Sequence, residues 1–269
     1  CIQMTSLSDS LFDWQKDYVN LKYEFLDDDE IDYLELKHPQ FETYNKNGCP
    51  TCEDNTCGDC KIQLQLYKHY LRAGIGLNYQ RLDWIDFHGD EKAHDLAKIY
   101  LGQHKEFVKG GMGIMYHGSW GTGKTLLTSL IAKELVKLGY TVYFATFTQM
   151  VDEFTRGWGS NDEKARFESK VVKSDVFFLD DIGKEFRTKN NLSEATFDHV
   201  LRQRALDNRP TFITTNMTIE ELNEGYGSAI FSLLKERMIV HSMDGVDYRE
   251  FARNRTLDEI KNGQVRKII

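Results

Sequence analysis

No run of eighteen apolar residues occurs in the 269-residue sequence, and its first positions lack the basic, apolar and small-residue succession of a secretory leader. Membrane insertion and secretion therefore have no support in the sequence, and the cytoplasm is the expected compartment. Methionine is missing from position 1; Cys1 points to a processed, truncated or tagged start and reads as a free surface thiol. Positive charge is also short, with a formal net charge of −8. The deficit sits in residues 1–90, which hold 17 Asp and Glu against 8 Lys and Arg, including the unbroken acidic run Asp27 to Glu30. An acidic front region is a poor surface for nucleic acid by itself. This assigns it to protein contacts and the near-neutral remainder to a different job. The other proportions, 41% hydrophobic and 28% charged, are those of an ordinary soluble protein long enough for one large or two modest domains.

What is present is led by Gly118 to Thr125, which read GSWGTGKT and match the phosphate-binding P-loop pattern. Small residues let the backbone from Gly118 through Ser119, Trp120, Gly121, Thr122 and Gly123 curl so that its N–H groups surround phosphate oxygens. Lys124 then reaches the β and γ phosphates of ATP, the Thr125 hydroxyl ligates Mg²⁺, and Leu126 completes the binding stretch. The flanks agree. Gly113 to His117 (GIMYH) is a short apolar run suited to a buried strand, and Thr125 to Leu138 carries apolar residues at helical spacing. A strand, a glycine-rich turn and a helix N-terminus place phosphate at the positive end of a helix dipole.

Further along, Tyr140 to Phe147 reads as a strand, while Gln149 to Arg156 and Glu163 to Lys173 read as helices. Val176 to Leu179 (VFFL) has the wholly apolar character of a parallel strand buried on both faces, and it ends at Asp180 and Asp181. Carboxylates there lie at the carboxyl edge of the sheet beside the phosphates, the Walker B arrangement. Asp180 would hold the Mg²⁺ shell, and Asp181 would orient or polarise the attacking water. A third apolar strand, Thr211 to Thr215, ends at Asn216, where ATPases of the AAA+ type carry a γ-phosphate sensor. Strands and helices alternating in this way predict an α/β fold with a parallel sheet flanked by helices. Arg237 closes a helix beginning near Gly227, placed either to enter a neighbouring subunit's site or to serve as an ordinary helix-surface arginine. Arg249 and Arg253 are candidates for a second phosphate sensor, only one of which would serve.

Four of the five cysteines, Cys49, Cys52, Cys57 and Cys60, form two CxxC knuckles four residues apart. Such knuckles allow four thiolates to converge on a structural Zn²⁺; a pair of disulfides is the competing reading, disfavoured in a reducing compartment. The short gap leaves His38 or His69 as a replacement for one cysteine. Helical stretches are expected around Leu7 to Leu26, Ile31 to Leu36 and Lys61 to Ala73, broken after that by Gly74 and Gly76. The expected division is a small helical zinc-binding domain at 1–73, a connector at 74–90 and the ATPase domain at 91–269.

These features together resemble the AAA+ replicative helicase loaders of the DnaC and DnaI type. The segments that carry the resemblance are GIGLNYQRLDWIDF (Gly74 to Phe87), GSWGTGKT, LDDIGKE (Leu179 to Glu185), ITTN (Ile213 to Asn216), KERM (Lys235 to Met238) and DYR (Asp247 to Arg249). A cysteine-rich domain ahead of the ATPase is similar to the DnaI branch. The brevity of the chain after Arg237 leaves no room for a large lid, as in the loaders and the transposition helper IstB. The resemblance implies ATP hydrolysis by Lys124, Asp180, Asp181 and Asn216, with Arg237 as an arginine finger acting across a homo-oligomer and Arg249 as second sensor. It also implies a DnaB-type replicative helicase bound through the N-terminal domain, and single-stranded DNA bound through the ATPase domain. Lys184, Arg187, Lys189, Arg202, Arg204 and Arg209 would form a basic rim for that DNA. An IstB-like transposition helper and a nucleotide-regulated helicase inhibitor are the alternatives.

Overall fold

The computed structural model describes residues 13–18, 58–183, 191–263 and 266–269. Five parallel strands form its centre: β1 (Gly113–His117), β2 (Val142–Thr146), β3 (Val176–Ile182), β4 (Thr211–Thr215) and β5 (Met238–Ser242), in the spatial order β2-β3-β4-β1-β5. Because neighbouring side chains in a strand point to opposite faces, each apolar strand feeds two cores at once. Ile114, Tyr116, Phe144, Val176, Phe178 and Phe212 belong to one core, whereas Met115, Tyr143, Ala145, Phe177, Leu179 and Ile213 belong to the other. Rings stack across strands on the first face, Phe144 on Phe178 at 5.7 Å and Phe178 on Phe212 at 4.5 Å.

Helices cover both faces. The first core is closed by α1 (Gly58–Arg72), a short α2 (Leu77–Gln80), α3 (Glu91–Gly102), α4 (His104–Lys109) and α5 (Lys124–Lys137). The second is closed by α6 (Phe147–Arg156), α7 (Asn161–Phe167), α8 (Asn191–Leu206) and α9 (Ile219–Arg237), while α10 (Arg249–Lys261) buries none of its residues. Among the described residues no helix is long and apolar enough to cross a membrane.

Several boundaries differ from the sequence expectation for identifiable reasons. The strand expected from Tyr140 to Phe147 stops at Thr146, because Thr146 and Gln149 form a reciprocal capping box that starts α6 at Phe147. The helix expected over Glu163 to Lys173 begins at Asn161, capped by the Ser160 side chain. It relaxes into a wider π-helical turn at Glu168–Val172, whose Val171 and Val172 carbonyls accept hydrogen bonds from Arg204. The helix expected near Gly227 starts eight residues earlier at Ile219 and bends at Gly227, whose φ of 80° and ψ of 159° are not helical. Edge strand β5 carried no clear sequence signal, since only alternate positions are covered.

The N-terminal features expected from the sequence lie largely outside the described residues, including Cys49, Cys52, Cys57, His38 and the helix at Ile31 to Leu36. Within Leu7 to Leu26 the description covers a short 3₁₀ helix at Asp13–Asp17. Cys60 lies in the first turn of α1 and His69 in its last. Leu66, Tyr67 and Tyr70 of α1 share the first core with Ala73 and with Leu130 and Leu135 of α5. Trp14 and Tyr18 join them by donating to the buried carboxylate of Glu134 on α5. Residues 266–269 return to the same place: Ile268 is buried, and the Tyr70 hydroxyl donates to the Ile269 carbonyl at 2.8 Å.

Candidate nucleotide-binding site

The P-loop leaves β1 at its carboxyl end and delivers the chain to the N-terminus of α5. Gly121 adopts φ 77°, and a Cβ there would stand 1.9 Å from an Asp247 carboxylate oxygen; Gly123, at φ 93°, is the helix N-cap and supplies no side-chain partner. The first-turn N–H groups of α5 therefore face the cleft without an acidic side chain in that turn, the condition for holding an anion. Lys124 is largely buried and its Nζ bridges the loop, donating to the carbonyls of Gly118 at 2.9 Å and Ser119 at 2.6 Å. Burial pushes the Lys124 ammonium down from its ordinary value, and the nearby Asp181 and Asp180 charges pull the other way. On the outer side, Asp244 accepts from the Ser119 N–H and hydroxyl, and the Tyr248 N–H donates to the Gly121 carbonyl.

Consecutive residues in a regular strand face opposite ways, so Asp180 and Asp181 would be divided between the two cores. The chain avoids this with a β-bulge. Leu179 pairs with Ile213 and Ile182 with Thr215, leaving both aspartates opposite Thr214 alone. Asp181 occupies the left-handed region at φ 61°, unusual for a residue other than glycine but tolerated by aspartate. Ile182 lands on the same face as Leu179, in the second core, which is the shift an extra residue produces. Asp180 receives the Thr125 hydroxyl at 2.9 Å, and Asp181 receives the Asn216 side-chain N–H at 3.1 Å.

The cleft is bounded by residues Trp120 through Leu126, by Asp181, Thr214 and Asn216, by Tyr79, Phe87 and His88 from the preceding segment, and by Arg249, Phe251 and Arg255 of α10. Trp120 keeps its indole 61% exposed on the rim. Of the two candidate second sensors, Arg249 borders the cleft and Arg253 does not. Arg255, unremarked in the sequence, also borders it and pairs with Asp86 at 3.1 Å. Burial pushes the Asp86 carboxyl up, but the Asp83 backbone N–H and the Arg266 and Arg255 guanidiniums outweigh it, so the group lies below the ordinary carboxylate range.

Arg237 is elsewhere. It ends α9 immediately before β5, where Met238 pairs with Gly113, the first residue of β1; the P-loop follows the last residue of that strand. The two lie on opposite edges of the sheet, roughly 16 Å apart along five residues of β1. Arg237 donates there to the Asn208 side chain at 3.1 Å. The basic rim also changes: Arg204 is fully buried, and Arg202 is paired with Asp198 at 2.8 Å, while Lys184, Arg187 and Lys189 lie outside the described residues. Among the described residues no group of three or more His, Cys, Asp or Glu side chains is gathered to hold a metal ion.

The donor set suits a nucleotide with Mg²⁺. A glycine cradle faces the helix N-terminus, a lysine spans it, and a hydroxyl and a carboxylate stand together as the hard oxygen donors that this cation takes alongside phosphate. A parallel sheet with such a site at the carboxyl ends of its strands defines a P-loop ATP-binding protein of the AAA+ type. The chain belongs to the family of IstB-like ATP binding proteins, whose model matches residues 65–254.

The chain is 27% identical over 162 residues to the replicative helicase loader DnaI of Bacillus subtilis, covering 56% of this chain and 48% of that protein. It is 27% identical over 163 residues to the IS5376 putative ATP-binding protein of Geobacillus stearothermophilus, covering 58% and 61%. It thus spans about half the length of the DnaI relative. The crystal structure of the DnaC helicase loader shares the fold with a TM-score of 0.53 at 21% identity, covering 63% of this chain and 100% of that one.

Proposed function

We propose that the chain is an ATP-hydrolysing replicative helicase loader that works as a homo-oligomer. The observation that carries the reading is the separation of Arg237 from its own cleft. Lys124, Thr125, Asp181, Asn216 and Arg249 border the cleft, and Arg237 stands at the opposite end of β1; in this reading a second copy brings its own Arg237 to the nucleotide. Lys124 and the α5 N-terminus bind and orient the phosphates, Thr125 and Asp180 hold Mg²⁺, and Asn216 positions the carboxylate of Asp181. Bound Mg²⁺ supplies charge neutralisation at the phosphate oxygens. Asp181 orients the attacking water, and Arg237 of the neighbouring copy stabilises charge developing on the transferred group. Arg249 serves as second sensor from the cleft wall.

The helicase role draws on the two loaders to which the chain is similar. In this reading residues 1–73 contact a DnaB-type helicase, the ATPase domain contacts single-stranded DNA, and Cys49, Cys52, Cys57 and Cys60 hold a structural Zn²⁺ in a cytoplasmic protein. The zinc assignment rests on cysteine spacing, and elemental analysis of the purified chain tests it: about one Zn per chain supports it, and none overturns it.

A second reading, an IstB-like transposition helper, is favoured by the family match and the insertion-sequence relative. Mixing the full chain with a purified hexameric replicative helicase, or with a transposase, separates the two. ATP-dependent co-elution with the helicase, followed by its transfer to single-stranded DNA, supports the loader. Co-elution with the transposase alone supports the helper. A helicase complex that forms but never transfers supports a nucleotide-regulated inhibitor.

A further inference from the structure

Thr214 has no part in the site as read from the sequence, yet its hydroxyl touches both acids of the bulge. It donates to the Asp180 carboxylate at 2.5 Å and accepts the Asp181 backbone N–H at 2.9 Å. The residue is buried and borders the cleft. Its position follows from register: Phe212 faces the first core and Ile213 the second, so Thr214 returns to the α5 side, where Asp180 meets Thr125. The hydroxyl has one proton and accepting lone pairs, so it can serve both neighbours in one geometry.

We propose that Thr214 is the positioning residue of the hydrolytic site, pinning the bulge that turns two consecutive aspartates toward one nucleotide. Two consequences follow from the same oxygen. Its proton goes to Asp180 Oδ1, the oxygen that also receives the Thr125 hydroxyl at 2.9 Å, which fixes the carboxylate against Thr125 and leaves Oδ2 the less engaged oxygen for the cation they would hold. Its lone pair holds the Asp181 amide in the left-handed conformation that carries the Asp181 side chain to Asn216. Serine can make both bonds, whereas valine has the same shape and can make neither. The proposal rests on the reading of the cleft as an ATPase site.

The test compares Thr214→Val and Thr214→Ser with the unaltered full chain in ATP binding, steady-state hydrolysis and Mg²⁺ dependence. Loss of a group that orients a metal ligand characteristically lowers metal affinity or activity about 10–100-fold. The expected pattern for Thr214→Val is a fall in kcat of that order, a raised Mg²⁺ half-saturation and a KM for ATP within about threefold of the unaltered value. Thr214→Ser restores most of kcat. The proposal is overturned if Thr214→Val keeps kcat and Mg²⁺ dependence within about twofold, or if it loses ATP binding and cooperative melting together, which marks a merely structural residue. It is also overturned if serine fails to rescue. Absence of hydrolysis in the unaltered chain, with or without single-stranded DNA, overturns the ATPase reading itself and is distinguishable from all of these.

Discussion

Arg204→Met should be among the most destabilising single changes available in this chain, although the residue stands on a helix in a polar stretch. The guanidinium is fully buried beneath the sheet edge and donates to the carbonyls of Val171, Val172, Ser174 and Pro210 at 2.7–3.0 Å and to the Thr211 hydroxyl at 3.0 Å. It also lies over the Phe177 ring, 5.5 Å from its centroid. Burial works against its charge, and this set of acceptors offsets that cost. Methionine keeps most of the packing of the stem but strands several buried carbonyls at once. Each buried acceptor left without its donor costs about 1–3 kcal/mol, so the several stranded together should cost about 3–5 kcal/mol after partial relaxation. In a domain of this size each kcal/mol lowers the melting temperature by roughly 2–4 °C, so a fall of around 10 °C is expected. Arg202→Met, two positions earlier, removes a half-exposed pair with Asp198 and should cost less than about 1 kcal/mol. Thermal melts of the two variants beside the unaltered chain decide the matter. If Arg204→Met melted within about 2 °C of Arg202→Met, the reasoning from buried acceptors would be refuted.

Asp181→Glu should lower the melting temperature by a few degrees, since glutamate is less tolerant of the left-handed conformation by about 1 kcal/mol, and should impair hydrolysis while sparing ATP binding. Asp181→Asn should melt close to the unaltered chain and still lose hydrolysis; equal melting of the two variants would contradict the strain argument. Acid should weaken the fold through Asp86 and Glu134. Burial raises the Glu134 pKa, but Lys137, Tyr18 and Trp14 outweigh it, so both carboxyls lie below their ordinary values. Their contribution is complete above unfolded values of about 3.9 and 4.3, and is lost as pH falls through the depressed native values. The contribution of these two carboxyls should therefore be constant above about pH 5, and below it the melting temperature of the unaltered chain should fall more steeply than that of Asp86→Asn or Glu134→Gln; identical slopes would refute the assignment.

The parts of this molecule that sequence made legible are those whose chemistry is local. GSWGTGKT carries its own backbone conformation, and Val176 to Leu179 of β3 and Phe212 and Ile213 of β4 are apolar on both sides of the sheet because helices cover both faces. The acids that follow the apolar run of β3 were readable from position, but their common orientation was not. That depends on a bulge formed against β4, for which the adjacent threonines of ITTN were the available trace. Arg204 could not be told from Arg202 because a helix-surface pattern does not reveal which polar face is roofed by a neighbouring turn. Long-range pairs were equally hidden: Ser119 with Asp244, Arg255 with Asp86, and Trp14 with Glu134 all join segments far apart in the chain. Edge strand β5 was missed because half of its residues face outward and break the apolar run.

The central claim, that each active cleft is completed by a second copy, is tested most directly by mixing two inactive variants and measuring ATP hydrolysis. Lys124→Ala should lose ATP binding, and Arg237→Ala should bind ATP yet turn it over slowly. In an equal mixture, Arg237→Ala copies supply intact clefts and Lys124→Ala copies supply intact fingers, so about one interface in four pairs the two and up to about a quarter of the unaltered rate should return. A mixture that stays at the level of the separate variants, or an Arg237→Ala chain that hydrolyses ATP at the full rate alone, would contradict the account.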